Sequence, residues 1–251
     1  MTSVFSDSES KVALVTGGAL RLGRAMVQKL HQDGFRVVIT YRNAKTSAET
    51  LAEQLNLVRP DTAISFCLDL VENPKGEDLV NLVLSKWGRL DVLVNSASEF
   101  FPTVLGSVTT SQWDLLMSSN LKGAFFLSQT SAPYLAERQG CIVNLVDIYA
   151  ERPLINYSVY SVTKAALAHL TRALAIELAP KVRVNAIAPG AILWPEHVQG
   201  EASIQNMLEK IPMGRKGSEQ DIADTLSFLV NSAPYVTGQI IAVDGGRLST
   251  I

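Results

Sequence analysis

A tyrosine and a lysine, Tyr160 and Lys164, stand four residues apart in a stretch of helical period. That spacing places both side chains on one face of a helix. A phenol with a pKa of about 10 is a poor acid-base catalyst at neutral pH, and a nearby cation favours the phenolate and lowers that pKa. We therefore expect Tyr160 to transfer a proton beside Lys164, although the same spacing is also common on ordinary amphipathic helices.

A glycine-rich turn supplies the second chemical signal. Residues Thr16 to Gly23 follow an apolar run, Val12 to Thr16, and precede a helical pattern. Backbone amides in such a turn can approach a pyrophosphate, whose charge is favoured by the helix amino terminus. Because strand, turn and helix occur in the required order, the pattern favours a nucleotide over an empty tight turn. The expected contacts are Gly17, Arg21 and Leu22.

The end of the second predicted strand indicates which dinucleotide binds. A site for NAD usually carries an acid there, whereas a 2′-phosphate requires positive charge. The residues at this position are Tyr41, Arg42 and Asn43. Without a carboxylate, and with Arg42 and Arg21 near the ribose, the site predicts NADPH; the alternative is that Arg42 is a solvated loop residue. After the third strand, Asp69, beside Leu70, either accepts a hydrogen bond from the adenine amino group or closes a turn.

Short β-branched runs alternate with longer segments of helical period along the chain. This alternation predicts βαβ units on a parallel sheet. Runs that are apolar throughout indicate strands buried on both faces. The predicted fold class is α/β, with a doubly wound parallel sheet of about seven strands. The predicted strands are 12–16, 37–40, 64–67, 92–94, 141–146, 182–186 and 240–243, and the longer predicted helices are 44–57, 79–87, 111–136 and 159–178.

The segment 191–217 is rich in turn residues and long for a connector. We expect it to form an irregular substrate lid rather than a simple loop. Trp194 within it either walls the substrate pocket or anchors the lid. Ser218 then opens the last long helix, with Asp221 three residues later in a pattern like a capping box.

The composition bounds the kind of protein. With 251 residues, 47% of them hydrophobic, the chain is predicted to form a single domain covering 1–251. With a net charge of −2, the chain has no excess of basic residues to attract nucleic acid, so we expect no nucleic-acid binding. The polar tail 1–10 and the lack of a long apolar run predict neither secretion nor a membrane span, and the isolated Cys67 and Cys141 favour a cytoplasmic protein without disulfides. No metal site is predicted, because no histidine or cysteine has ligand spacing.

Together these motifs resemble those of the classical short-chain dehydrogenase/reductases over nearly all of the chain. The resemblance implies a Rossmann-like fold, a nicotinamide cofactor and a homotetramer that associates through the two long helices. The motifs that carry it are the turn from Thr16 to Gly23, Asn95 to Ser98 after the fourth strand, Asn120 in a long helix, Tyr160 with Lys164, and Pro189 with Gly190 after the sixth strand.

The same resemblance assigns roles to further residues. Lys164 is implied to hold the nicotinamide ribose, and Asn120 to support a water-linked proton path to that lysine. The alternative for Asn120 is a polar residue that merely interrupts helix packing. The cofactor contacts added by the resemblance are Asn95, Ala97, Pro189 and Gly190.

Departures from the general family point in one direction. Arg21 stands where the family has the middle glycine of the turn, and Asp147 stands where it has a serine, thirteen residues before Tyr160. The loop 98–103, which runs Ser-Glu-Phe-Phe-Pro-Thr, also differs from the usual family sequence. These features together resemble the pteridine reductases.

This closer resemblance implies how a pterin is handled. Phe100 is expected to stack on the flat heterocycle, while Ser98 and Arg21 contact its polar edge. Reduction of a C=N bond needs hydride at carbon and a proton at nitrogen, which Tyr160 would donate with help from Asp147. The alternatives are that Asp147 is a strand-end aspartate facing water and that Phe100 is a core residue under a loop.

The expected function is NADPH-dependent reduction of a pterin, from dihydropteridine to tetrahydropteridine, with oxidised pterin and folate as further candidate substrates. One alternative is reduction of another carbonyl, such as a 3-oxoacyl thioester, and Asp147 and Arg21 argue against it. The other is a non-catalytic dinucleotide sensor, which has no need of Tyr160, Lys164 and Asn120 together. The expected partners are a small-molecule substrate and further copies of the chain, with no nucleic acid and no membrane.

Overall fold

The structure, a computed structural model, describes residues 10–192 and 201–250. The described residues form a seven-stranded sheet in which every neighbouring pair is parallel, in the order β3-β2-β1-β4-β5-β6-β7. This confirms the predicted α/β class and doubly wound sheet. The strands are β1 Val12–Val15, β2 Arg36–Tyr41, β3 Ala63–Cys67, β4 Val92–Asn95, β5 Cys141–Leu145, β6 Arg183–Pro189 and β7 Ile240–Val243.

Helices cover both faces of the sheet. The helices are α1 Arg21–Gln32, α2 Lys45–Val58, α3 Glu77–Trp87, α4 Thr110–Met117, α5 Gly123–Glu137, α6 Ser158–Glu177, α7 Glu201–Glu209 and α8 Glu219–Asn231. One hydrophobic cluster joins the sheet to α1, α2 and α8, and another joins its opposite face to α3, α5 and α6. The sheet is therefore a central layer between two layers of helices.

The first strand shows why apolar runs become strands here. All of its residues are buried, with Ala13 and Val15 in one hydrophobic cluster and Val12 and Leu14 in the other. Because side chains alternate between the faces of a strand, a strand covered on both sides is apolar at nearly every position. Complete burial of each Val or Leu side chain contributes about 1.5–3 kcal/mol.

Two expectations about helices are wrong in part. The predicted single helix 111–136 is interrupted by a π-helical turn, Ser118–Lys122, between α4 and α5. A π turn holds an extra residue, a local change that hydrophobic period does not reveal. The segment 191–217, expected to be irregular, contains α7. Residues 193–200, including Trp194, lie outside the described residues.

The expected start of the last long helix is confirmed. The Ser218 side chain accepts a hydrogen bond from the Asp221 backbone N–H, and Asp221 accepts one from the Ser218 backbone, which makes a capping box at the start of α8. Both cysteines are free thiols, with Cys67 exposed and Cys141 buried, and burial raises the pKa of Cys141 to about 11. Within 10–192 and 201–250, no helix is both long and apolar enough to cross a membrane.

Candidate active site

The predicted site residues follow the carboxyl ends of neighbouring strands. The glycine turn follows β1, Arg42 follows β2, Ser98 follows β4 and Asp147 follows β5. Parallel strands bring these ends to one edge of the sheet, and the strand order reverses between β1 and β4. In open α/β sheets, that reversal opens a crevice in which ligands bind.

Asp147 and Tyr160 form a hydrogen-bonded pair in this crevice. The Tyr160 hydroxyl donates to Oδ2 of Asp147 at 2.8 Å, and the backbone N–H of Tyr149 donates to Oδ1 at 2.9 Å. Asp147 thus caps a short 3-10 turn, Ile148–Ala150, while holding the phenol. Burial raises the pKa of Asp147, against the lowering effects of both hydrogen bonds and of the Lys164 charge. Asp147 is half-buried, and both of its carboxylate oxygens have hydrogen-bond partners in the protein.

The pKa of Tyr160 is raised well above its usual value, contrary to the expected lowering. Burial is the main cause, and the charge and hydrogen bond of Asp147 act in the same direction. The positive charge of Arg21 opposes them. Tyr160 therefore keeps its proton at neutral pH, which is the state that a proton donor requires.

Lys164 lies beneath the phenol. Its side chain is buried, Nζ donates to the backbone oxygen of Leu145 at 2.9 Å, and Nζ lies 5.6 Å from the centroid of the Tyr160 ring. Burial lowers the pKa of Lys164 to about 8, while the Asp147 charge acts to raise it. The ammonium form therefore predominates at pH 7. The charges of Lys164 and Asp147 act on each other, and both groups lie close to the Tyr160 phenol.

Asn120, in the π turn, joins the loop after β4 to α6. Its Oδ1 accepts hydrogen bonds from the Glu99 N–H at 2.8 Å and from the Ser119 hydroxyl at 2.6 Å. Its Nδ2 donates to the Glu99 backbone oxygen at 3.0 Å and to the Thr163 hydroxyl at 3.1 Å. Thr163 precedes Lys164 in α6, so Asn120 fixes the loop relative to the catalytic helix. The predicted water-linked path to Lys164 stays a prediction.

The glycine turn packs closely against the loop after β4. A Cβ on Gly17, whose φ is +64°, would lie 3.0 Å from the Cα of Ala97, and one on Gly23 would lie 2.1 Å from the Gly17 oxygen. The Thr16 hydroxyl accepts hydrogen bonds from the N–H groups of Ser96 and Ala97 at 2.9 and 3.0 Å. Gly17 and Gly23 are therefore packed too closely for a side chain. The N–H groups of Gly17 and Gly18 donate to the hydroxyl and the backbone oxygen of Thr40 at 3.3 and 3.0 Å.

Arg21 opens α1 in an unusual conformation. Its φ is +50°, in the left-handed region that glycine adopts freely and that costs other residues about 1–2 kcal/mol. The family glycine at this position would adopt that conformation without cost. Arg21 retains a side chain there, and its charge acts on Tyr160. This arrangement fits the predicted contact of Arg21 with both cofactor and substrate.

The buried amide of Asn95 also fits a ligand site. Its Nδ2 donates to the Ser128 hydroxyl at 3.1 Å and to Oδ1 of Asn144 at 2.8 Å. Among the described residues, no hydrogen-bond partner reaches Asn95 Oδ1. A buried acceptor without a partner costs about 1–3 kcal/mol, so a donor from a bound molecule at this point would be stabilising.

The ribose end has one feature that sequence reasoning missed. Tyr41 is half-buried against the core, Asn43 is exposed, and Nη2 of Arg42 pairs with Oε1 of Glu99 at 2.5 Å. Arg42 is exposed as well as paired, so whether it binds a 2′-phosphate or is a solvated loop residue stays a prediction. Glu99 is a carboxylate directly after Ser98, and its place in a loop at the crevice is the signal that could have identified it.

Several predicted cofactor contacts have structural roles. The Asp69 Oδ1 accepts a hydrogen bond from the Val71 N–H at 2.9 Å, so this residue closes a turn, and Leu70 is buried against Gly123. Leu22 packs partly buried against the core. None of these contacts tests adenine or cofactor binding, which remains a prediction for these residues.

Pro189 and Gly190, the motif after the sixth predicted strand, also have structural roles. Pro189 ends β6 and pairs in register with Val243 of β7. A Cβ on Gly190 would lie 2.6 Å from the Cα of Asp244, so this position needs glycine for packing as well. The two residues lie at the carboxyl edge of the sheet, as predicted, and their contact with a cofactor is untested.

An aromatic cluster lies beside Tyr160. Phe100 is 44% exposed, stacks on Tyr157 with centroids 4.6 Å apart, and meets the edge of the Tyr160 ring at 4.7 Å. Phe100 is therefore not a core residue, and sequence reasoning missed its support by Tyr157. The exposed Ser98 donates to the Glu99 backbone oxygen at 3.3 Å.

The loop that carries Phe100 is attached to the start of α6. The Thr103 N–H donates to the Asn156 oxygen at 2.5 Å, and the Thr103 hydroxyl accepts from the Val159 N–H at 3.3 Å. The hydrogen bonds of Thr103 therefore hold the loop in a position that keeps Phe100 beside Tyr160.

A doubly wound parallel sheet whose crevice combines a glycine turn with a Tyr-Lys pair defines the class of nicotinamide-dependent oxidoreductases. Comparison with known proteins agrees. A family model described as enoyl-(acyl carrier protein) reductase matches residues 18–247. The chain belongs to the short-chain dehydrogenase/reductase family.

Curated relatives match nearly the whole chain. Pteridine reductase 1 of Leishmania tarentolae is 35% identical, with 94% of this chain and 95% of that protein covered. A 3-oxoacyl-(acyl-carrier-protein) reductase of Staphylococcus epidermidis is 34% identical, with 94% and 98% covered. A reductase of the same name from Thermotoga maritima is 34% identical, with 95% and 98% covered. These similarities establish the family and leave the substrate open.

Proposed function

We propose that this protein is an NADPH-dependent reductase of pterins that converts a dihydropteridine to a tetrahydropteridine, with oxidised pterin and folate as further candidate substrates. The observation that carries the proposal is the hydrogen bond of 2.8 Å between the Tyr160 hydroxyl and Asp147. A serine that steadies a carbonyl is replaced here by an acid of raised pKa. That exchange suits protonation of a ring nitrogen.

Support for a dinucleotide in the crevice comes from the order of β1, glycine turn and α1 and from the buried Asn95 Oδ1, which has no hydrogen-bond partner among the described residues. NADPH supplies hydride for the carbon of the C=N bond when it is bound. Gly17 and Arg21 would hold the phosphates, Arg42 the 2′-phosphate, and Lys164 the nicotinamide ribose. The remaining proposed cofactor contacts are Leu22, Tyr41, Asn43, Asp69, Leu70, Asn95, Ala97, Tyr160, Pro189 and Gly190.

The chain's own residues handle the proton. Tyr160 Oη gives its proton to the ring nitrogen, and a protonated Asp147 then donates its own proton to Oη, which reverses the direction of the present hydrogen bond. Solvent water returns a proton to Asp147. The raised pKa of Asp147 keeps a proton available closer to neutral pH than for a solvated aspartate. The Lys164 ammonium stabilises the negative charge that develops on the phenol oxygen.

The pterin ring is placed by the surroundings of Tyr160. Phe100 offers an exposed aromatic surface within contact of Tyr160, and aromatic rings favour offset stacking on flat, electron-poor heterocycles. Arg21 and Ser98 would bind the polar edge of the pterin. The proposed wall at Trp194 lies outside the described residues.

The direct test is NADPH oxidation by the purified protein with dihydrobiopterin, beside acetoacetyl thioester and a sample without substrate. Turnover with the pterin alone supports the proposal. Turnover with the thioester alone favours the second candidate, a 3-oxoacyl thioester reductase, to which the 34% identical relatives point. NADPH binding without turnover of either would favour the dinucleotide sensor instead.

Replacing Arg42 by alanine tests the choice of cofactor. We expect the Arg42→Ala variant to bind NADPH about 10- to 100-fold more weakly, because a charge-assisted bond to the 2′-phosphate is worth about 1.5–3 kcal/mol. NADH affinity should change less than about 3-fold. Dissociation constants from quenching of protein fluorescence check this prediction. Equal losses of affinity for NADPH and NADH would show that Arg42 does not bind the 2′-phosphate.

The pKa of Lys164 predicts how cofactor affinity depends on pH. Lys164 is protonated below its pKa of about 8 and loses its charge as the pH rises through that value. If Lys164 holds the ribose as an ammonium donor, the protein should therefore bind NADPH several-fold more weakly at pH 9.5 than at pH 7. Titrations at both pH values, repeated with Lys164→Met, check this. The variant should bind weakly with little pH dependence, and an equal dependence in both proteins would contradict the role.

Self-association belongs to the same proposal. An apolar groove of about 440 Å³ lies between the π turn with its flanking helices and α6, lined by Leu121, Phe125, Leu170 and Ala173 among others. The helices that line this groove are the two long helical stretches through which the expected homotetramer would associate. A second copy that covered this groove would remove its apolar surface from water, which supports the proposed assembly. The other proposed partner is a small molecule, and the proposed location is the cytoplasm.

A further inference from the structure

An ion pair crosses the crevice at the ribose end. Arg42 follows β2 and Glu99 lies beyond β4, while β1 runs between these two strands. The Arg42 Nη2 to Glu99 Oε1 distance of 2.5 Å therefore joins two sides of the crevice across the end of β1, where the glycine turn begins. The side chains are 38% and 27% exposed, so a ligand can reach both.

Glu99 is held in this position by its backbone. The backbone N–H of Glu99 donates to Asn120 Oδ1 at 2.8 Å and to the Ser119 hydroxyl at 3.2 Å. The backbone oxygen of Glu99 accepts a hydrogen bond from Asn120 Nδ2 at 3.0 Å. On the other side, the carbonyl of Arg42 accepts from the Cys67 thiol, with a separation of 3.8 Å. The carboxylate and the guanidinium are thus brought together by fixed segments of the fold.

We propose that Glu99 is a specificity-determining residue that competes with the 2′-phosphate of NADPH for Arg42. The inference rests on the proposed use of NADPH. A 2′-phosphate carries more charge than a carboxylate and offers more acceptor oxygens, so it can replace Glu99 on the guanidinium. NADH carries no such group and leaves the ion pair closed. Glu99 therefore reduces the preference of the site for NADPH over NADH.

The expected effect has a defined size and direction. In Glu99→Gln the competing charge is lost while the size and the backbone contacts of the residue are kept. We expect the dissociation constants of NADPH and of 2′,5′-ADP to fall about 3- to 10-fold, since an exposed ion pair and repulsion of the phosphate are both removed. The NADH constant should change less than about 2-fold.

The matched control is Asp61→Asn. Asp61 also forms an ion pair, with Lys86, but it precedes β3 and so lies at the opposite edge of the sheet. Its φ is +55°, a conformation that asparagine tolerates. The substitution changes the net charge by the same amount and should leave all three dissociation constants unchanged.

The experiment measures these constants by fluorescence titration and calorimetry in the wild type, Glu99→Gln, Arg42→Ala and the double variant. Competition predicts that the Glu99 substitution has no effect once Arg42 is absent. An unchanged or weaker NADPH affinity in Glu99→Gln, equal tightening of NADH, or persistence of the effect without Arg42 would overturn the inference. Glu99→Ser, checked for folding by circular dichroism, provides a second variant.

The outcome separates this inference from the proposed cofactor. If Arg42→Ala fails to weaken NADPH selectively, the assignment of the 2′-phosphate is wrong. If it does weaken NADPH selectively and Glu99→Gln changes nothing, only the competition by Glu99 is wrong.

Discussion

Tyr160→Phe is expected to lower the turnover of dihydropterin by about 10²- to 10⁴-fold, the usual contribution of general acid catalysis. The substitution removes the hydroxyl that donates to Asp147 at 2.8 Å. It keeps the ring that contacts Phe100 and lies over Lys164. NADPH affinity should therefore stay within about 3-fold, the loss of one neutral hydrogen bond at most. Steady-state NADPH oxidation and direct cofactor titration measure the two quantities.

Tyr149→Phe is the matched control for this variant. Tyr149 is a neighbouring phenol whose backbone, rather than its hydroxyl, bonds to Asp147. Loss of that hydroxyl should leave turnover within a few-fold of the wild type. A Tyr160→Phe variant that fails to bind NADPH, or that turns over dihydropterin like Tyr149→Phe, would contradict the role of Tyr160 as proton donor.

The fold was predictable because burial on both faces of the sheet leaves a direct mark on the sequence. The strand Val12–Val15 is buried throughout and is an unbroken apolar run, and in Cys141–Leu145, also buried throughout, only Asn144 interrupts the run. A parallel sheet then places the residues after each strand at one edge. The resemblance to the short-chain dehydrogenase/reductases implied that Asp147, at the position of the family's serine, lies beside Tyr160, and the structure joins the two by a hydrogen bond.

What the sequence did not reveal depends on local geometry and burial. The π turn at Ser118–Lys122 keeps the apolar pattern of a continuous helix while shifting Asn120 toward the Glu99 backbone. The pKa of Tyr160 rises rather than falls, because burial and Asp147 outweigh any neighbouring cation. Neither desolvation nor a contact between separate loops can be read from residue spacing.

The helix in the expected lid shows a different limit. Residues 191–217 contain many turn residues, and this composition concealed α7. The apolar positions Ile204, Met207 and Leu208 have helical spacing in the sequence, which was the available signal. A period that covers only about two turns is weak evidence beside a strong composition.

Asp147→Ser is the second variant with a large expected effect. It restores the residue type that the general family has at this position and removes the carboxyl that supplies Tyr160 with a proton. We expect dihydropterin turnover to fall about 10²- to 10³-fold, within the range for loss of an acid-base group. NADPH affinity should be nearly unchanged, because Lys164 keeps its bond to the Leu145 oxygen.

The pH profile separates a proton-supplying role from a merely structural one. Burial raises the pKa of Asp147, so its protonated form persists to higher pH than in a solvated aspartate and is lost as the pH rises through the raised value. The wild-type rate should therefore fall as the pH rises through the raised pKa of Asp147, in addition to any change as Lys164, whose pKa is about 8, loses its charge.

The decline that follows the pKa of Asp147 should be absent in both Asp147→Ser and Asp147→Asn. Asparagine keeps an acceptor for the Tyr160 hydroxyl and tests position without proton supply. Wild-type turnover in Asp147→Asn would show that the acid only orients Tyr160, and wild-type turnover in Asp147→Ser would remove it from the reaction. If serine instead creates turnover of acetoacetyl thioester, residue 147 decides between a ring C=N bond and a carbonyl, because the two reactions need different groups beside the same phenol.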